Sequence, residues 1–329
     1  MNKKKNAILS IIERYSDLVG SRELSRQLKQ QGVDLTERTV RYYLKMLDDR
    51  GFTEVVGKEG RRITPKGREE LSRARIPEKV GFIISKIESL SYLTTLDINT
   101  MEGDVILNVS LFSQKDLRKA AKLLKPVFAS PFVMSDRVMV AESGERIGEA
   151  VIPKGMVGLG TVCSVTMNGV FLKAGIPVTS KFGGILEIEG REAKRFISLI
   201  SYEGSSLDPL EIFIKSGMTD ASRAVRNGSG SILASFREVP LVCLEAAQKL
   251  SRSMTKNGLR GVLTIGDPNR PLLDVPVGID KAGVVIVGGL NPVAILEENG
   301  IPTNSKAMST LCAFSKLQCF SDVVAARGL

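Results

Sequence analysis

The 329-residue chain has no histidine and no tryptophan. Without histidine there is no Ser-His or Cys-His nucleophile pair and no histidine-containing zinc site. The four cysteines, Cys163, Cys243, Cys312 and Cys319, form no CxxC pair. They read as reduced thiols of a cytoplasmic protein. Long apolar runs are missing too. The longest uncharged stretch, 155–172, holds Thr161, Ser164, Thr166, Asn168 and four glycines, which makes it a poor membrane span. No signal-peptide cleavage pattern follows the basic N-terminus. There is no P-loop motif, and Gly288-Gly289 is too little for a dinucleotide fingerprint. These gaps lead us to expect no membrane partner, no metal, no cofactor and no catalytic activity.

What is present is an uneven charge. Residues 1–76 carry 18 Lys+Arg against 11 Asp+Glu, a net of +7, whereas the rest of the chain has a net of only +3. A cationic module gains affinity for nucleic acid by releasing counterions from phosphates. Its order of elements is specific: a helix over 3–15, a second from Ser21 to near Gly32, and a third from Thr36 to Gly51. A hairpin pattern over 52–63 and a helix opened by Thr64-Pro65 follow. This is the order of a winged helix-turn-helix. In the third helix Val40, Tyr43, Leu44 and Leu47 share an apolar face. Arg38, Arg41, Tyr42 and Lys45 point the other way, with Glu37 nearer the edge. Arginine can fork to guanine, while Lys and Tyr more often hold phosphates. Thr36 is the expected N-cap. Lys58, Arg61 and Arg62, at the tip or return strand of the wing, are candidates to reach a phosphate or the minor groove. The candidate DNA-binding set is therefore Thr36, Arg38, Arg41, Tyr42, Lys45, Lys58, Arg61 and Arg62.

The remainder is duplicated. Residues 153–181 align with 276–306 through one two-residue insertion, giving eleven identities, among them Asn168/Asn291, Gly175/Gly300, Ser180/Ser305 and Lys181/Lys306. Each copy reads as a strand running into a short helix, with the asparagine as its cap and the glycine just past its end. Val105–Leu111 and Leu210–Ile214 each read as a strand before a helix. The expected fold is mixed α/β (α+β): a winged helix over 1–76, then an internally duplicated effector domain with repeats at 77–204 and 205–329. A strand, a turn and a helix N-terminus can receive an anion. The candidate effector residues are Cys163, Ser164, Thr166, Ser180, Lys181, Ser305 and Lys306, arranged across one cleft suited to a dicarboxylate. The same features also suit plain structural caps and solvated lysines, with Cys163 as a small buried apolar group.

The run Leu35-Thr36-Glu37-Arg38-Thr39-Val40-Arg41-Tyr42-Tyr43-Leu44-Lys45, the Gly-Arg-Arg-Ile-Thr wing and the duplicated Gly-Ile-Pro with Ser-Lys resemble the NrpR family of nitrogen-regulatory repressors. The resemblance implies repression of nitrogen-fixation and ammonia-assimilation genes by a homodimer on palindromic double-stranded DNA operators, with 2-oxoglutarate as inducer. It also implies a form with one winged helix and one effector domain, which can need a second NrpR-type subunit to reach the general transcription factors. Two other readings remain open: a regulator of this architecture sensing another metabolite, and an enzyme with an accessory winged helix.

Overall fold

The structure is a computed structural model that describes residues 3–15, 18–30, 32–57, 60–74 and 81–329. The chain divides into two compact units, residues 1–80 and 81–329. Lys58 and the expected linker around Pro77 lie outside the described residues.

In the first unit, α1 (Lys3–Arg14), α2 (Ser21–Gln30) and α3 (Glu37–Asp49) precede the hairpin β1 (Thr53–Val56) and β2 (Gly60–Ile63), and α4 (Pro65–Ala74) follows. Ile8, Leu9, Ile12, Leu24, Leu28, Val40, Leu44 and Leu47 form its core, with Tyr43 packed at the margin. Thr36 has extended backbone and its hydroxyl accepts from Thr39 N at 3.3 Å, so it caps α3 as expected. Thr64 accepts from Gly67 N at 3.0 Å and starts α4. Val19 pairs with Arg61 as a third strand against the wing. Gly60 permits this approach, because a Cβ there would lie 2.8 Å from the Val19 backbone.

The second unit opens with α5 (Phe82–Leu93). In the first copy β3 (Asp104–Ser113), α6 (Leu117–Phe128), β4 (Arg137–Ala141), a small hairpin of β5 (Arg146–Ile147) and β6 (Ala150–Val151), β7 (Met156–Val162) and α7 (Val165–Lys173) lead to β8 (Thr179–Glu189) and β9 (Glu192–Ser201). The second copy has α8 (Pro209–Lys215), α9 (Ala221–Asn227), β10 (Gly230–Pro240), α10 (Leu244–Lys256), β11 (Val262–Ile265), β12 (Lys281–Val287) and α11 (Asn291–Glu298). It ends in β13 (Asn304–Ala313), β14 (Gln318–Cys319) and α12 (Phe320–Ala326).

Two five-stranded sheets result, in the orders β13-β3-β7-β4-β14 and β11-β12-β10-β8-β9, with every pairing antiparallel. The repeats at 77–204 and 205–329 read as two modules forming one effector domain. The sheets join the copies by a reciprocal exchange: β8 leaves its own copy to pair with β10, and β13 leaves its copy to pair with β3. One large core spans both copies.

Three local expectations are corrected. Residues 210–214 form helix α8, not a strand: Asp208 accepts from Leu210 N at 2.8 Å, Pro209 occupies the first turn, and Leu210, Phe213 and Ile214 bury one face. The strand equivalent to β3 is β10. Neither asparagine is a cap, because Asn168 lies within α7 and Asn291 is a buried cross-brace that accepts from Leu233 N at 2.8 Å. The two are not equivalent positions either. Cys163 N donates to Ile106 O and Gly288 N to Leu233 O, so Cys163 matches Gly288 and Thr166 matches Asn291. The two-residue offset is already present in the strand. Gly175 and Gly300 do follow their helices with φ of 74° and 73°.

Candidate functional site

The outward face of α3 is the candidate nucleic-acid interface. Arg38, Arg41, Tyr42 and Lys45 are all exposed, Tyr42 at 62%. Arg38 and Lys45 form no ion pair among the described residues. Arg41 is tied more closely than its spacing suggested: its Nη2 lies 2.5 Å from Glu37 Oε1, and its Nε donates to Ser21 Oγ at 3.2 Å. Ser21 also donates to Glu37, so three residues join the start of α2 to α3. Arg41 holds the Glu37 carboxyl below its usual range. A solvent-exposed pair of this kind contributes little and leaves Arg41 available to a stronger anion. The i,i+4 spacing of Glu37 and Arg41 was the signal in the sequence for this pair.

The wing cations fare differently. Arg61 is half-buried and pairs with Asp48 on α3 at 2.9 Å, and its backbone is engaged with Val19. It fastens the wing to the helix. Arg62 pairs across the hairpin with Glu54 and stays exposed. Both candidate wing contacts are thus ion-paired within the first unit, Arg62 being the more exposed of the two.

In the second unit a cleft of about 560 Å³ is bounded by α5, α7 and the start of β8. Asn168 lines it from α7, Ser180 and Lys181 from β8, and Ile84, Glu88 and Ser91 from α5; Glu203 also borders it. A separate cavity of only about 10 Å³ is lined by Cys163, Ser164, Tyr202 and Asp208. The seven residues expected in one cleft are thus distributed. Ser180 and Lys181 border the large cleft. Cys163 and Ser164 border the small cavity. Thr166 is fully buried and accepts from Ile106 N at 3.0 Å. Ser305 and Lys306 lie on β13, outside the lining of the large cleft. Lys86 on α5 donates to neighbouring Ala307 O at 3.2 Å, so the two Ser-Lys copies meet different faces of α5. Burial pushes the Cys163 thiol up to about 11, as befits a small apolar filler.

Behind the cleft floor stands Arg237, 1% exposed. Its Nη1 donates to Ser164 O at 3.0 Å and to Asn168 Oδ1, while Nε has no partner among the described residues. Asn168 Nδ2 then donates to Ser180 Oγ at 3.0 Å. The register of β10 against β8 shifts between Phe236 and Arg237, opposite Lys181, and such a bulge re-aims side chains. The adjacent carboxylate, Glu238, is committed elsewhere, to Gly278 N at 2.8 Å and Lys281 at 3.6 Å. Burial pulls Arg237 down to about 10, still charged at neutral pH. Sequence reading missed Arg237 and took Asn168 as a helix cap, not as a side chain lining the cleft. The available signal was a cation in the middle of an otherwise apolar strand.

The chain matches the family model described as NrpR regulatory domains NRD1 and 2 over residues 80–319, and one described as the Ribonuclease R winged-helix domain over 6–71. It is 37% identical over 318 residues to the global nitrogen regulator NrpRI of Methanosarcina mazei, covering 97% of this chain and 98% of that protein. It is 32% identical over 311 residues to the global nitrogen regulator NrpR of Methanococcus maripaludis, covering 94% of this chain and 54% of the relative. The crystal structure of a nitrogen repressor-like protein from Methanococcus jannaschii shares 36% identity at a TM-score of 0.61, covering 72% of this chain and 97% of that one. With the regulatory-domain match spanning most of the chain and a full-length relative of this similarity, the protein belongs to the NrpR family of nitrogen regulators.

Proposed function

We propose that this chain is a DNA-binding repressor of nitrogen-assimilation and nitrogen-fixation genes, acting as a homodimer on palindromic operators and released by 2-oxoglutarate. The observation that carries the reading is the exposed Arg38-Arg41-Tyr42-Lys45 face of α3, laid over a core that holds the helix rigid. In a dimer two such helices reach successive major grooves about 34 Å apart. A metabolite loosens that grip only if it favours a conformation with the wrong spacing. Family membership supports the nitrogen targets. The chain spans about half the length of the Methanococcus maripaludis relative.

Fluorescence anisotropy with labelled promoter DNA from nitrogen-assimilation genes tests this. Binding should weaken steeply with salt, prefer promoter over random DNA, and fall when 2-oxoglutarate is added. Arg38→Ala should cut promoter binding by about 1–3 kcal/mol and random-sequence binding by less. Equal losses on both would reduce Arg38 to a phosphate contact, and no promoter preference in the wild type would remove the repressor reading.

A further inference from the structure

Arg41 differs from the other cations on the outward face of α3. Arg38 and Lys45 form no ion pair among the described residues, whereas Arg41 is held from two directions. Its Nη2 meets Glu37 on its own helix, and its Nε meets Ser21 at the start of α2. Ser21 Oγ in turn donates to the same Glu37 oxygen at 3.1 Å, so the three side chains close a ring. The ring stands on fixed ground. Ser25 Oγ donates to Leu35 O at 2.7 Å across the turn, and Leu24, Leu28, Val40 and Leu44 pack α2 and α3 into one core. The planar shape of the guanidinium decides what is left over. Nε and Nη2 share one side edge of the group, and that edge is taken. The end edge, Nη1 with the other N–H of Nη2, has no partner among the described residues, and the side chain is 68% exposed. Two parallel N–H groups of this kind span O6 and N7 of a guanine.

We propose that Glu37 and Ser21 are positioning residues: they hold Arg41 for end-on recognition of a guanine in the major groove and keep it off the phosphates, which makes this ring a source of sequence discrimination. The proposal rests on the reading of the chain as a DNA-binding repressor and assigns part of its specificity. The ring need not stabilise the fold to act in this way. A phosphate attracts a cation more strongly than a base edge does. Reaching one, however, swings the guanidinium aside, breaks its bonds to Glu37 and Ser21, and leaves a bare carboxylate beside the DNA backbone. Reading a guanine breaks neither bond. The same carboxylate repels the backbone of any sequence, so Glu37 weakens binding to random DNA most, where no base contact offsets the repulsion.

Fluorescence anisotropy on the full chain tests the ring, using labelled nitrogen-assimilation promoter DNA and random DNA of equal length across a salt series. Glu37→Gln should tighten random-sequence binding and steepen its salt dependence by about one phosphate contact. It should also lower the promoter-to-random affinity ratio at least ~10-fold. Ser21→Ala should lower the ratio by less, and Ser21→Thr, which keeps the hydroxyl, should retain it. Arg41→Lys preserves every charge but lacks the fork, so it should lose the ratio while random-sequence affinity and salt slope stay as in wild type. Promoter DNA carrying 7-deazaguanine lacks the N7 acceptor; it should weaken the wild type more than it weakens Arg41→Lys. A full ratio in both Glu37→Gln and Arg41→Lys overturns the ring while the repressor reading stands. Equal weakening on both DNAs in Glu37→Gln makes the ring a brace of the fold and overturns its role in discrimination. A wild type without promoter preference removes the repressor reading and the ring's role with it.

Discussion

Asp208 shows how a single buried group can set pH behaviour. It is 8% exposed, caps α8 through Leu210 N, and is pushed up to about 6, first by burial and then by the charge of Glu211, with Lys86 opposing. Tyr202 and Cys163 are its other titratable neighbours, both held neutral by burial. Because its folded value lies above the ordinary 3.8, the folded chain holds this proton more tightly than the unfolded one. Its favourable contribution is complete below about pH 4 and is lost as pH rises through about 6. Asp208→Asn, which can still cap α8, should flatten the fall in melting temperature across that window. It should leave the protein more stable at pH 7 by on the order of 2 kcal/mol. A steeper fall in the variant would contradict the assignment. Arg61 makes the contrasting case. Its half-buried pair with Asp48 predicts that Arg61→Ala lowers the stability of the winged-helix unit by about 1–3 kcal/mol, an effect seen in thermal melts without DNA. A loss confined to DNA affinity would return it to the interface.

At the scale of elements, the contact of α5 with α7 governs the cleft. A Cβ at Gly169 would lie 2.3 Å from Thr94 Cβ and 2.8 Å from Ser91 O. Gly169→Ala must therefore push the helices apart. Overpacking of this kind costs about 1–3 kcal/mol, so a clear drop in melting temperature is expected. An unchanged melt would show that α5 is loosely held. Ile83 and Ile87 of α5 also cover a satellite core with Cys163, Val165, Tyr202 and Met308, which couples the helix to both chain copies.

For the whole molecule, the exchanged strands matter most. Each sheet draws strands from both copies, so neither half owns a complete sheet. Residues 81–204 and 205–329 expressed separately should each be unfolded or aggregated, because β8 and β13 would expose unpaired edges. Mixed during refolding, they should regain native circular dichroism. A stable, cooperatively melting single half would refute the interlock. The first unit has its own core and needs no such partner.

The winged helix was legible in the chain because its determinants are local. A 3.6-residue apolar stripe, a Thr cap three residues before its bonded amide, and a Pro in a first helical turn act within a few positions. The duplication was legible too, as was the outward set of Arg38, Arg41, Tyr42 and Lys45. The carboxylates that engage Arg61 and Arg62 come from other elements, so only folding shows those cations to be taken. Likewise, short apolar runs such as 210–214 carry no period long enough to separate helix from strand. Copies read along one dimension look like neighbouring modules, and nothing local records that β8 and β13 change places. That choice, and the gathering of Arg237, Asn168 and Ser180 from a strand, a helix and a second strand, was made by long-range packing.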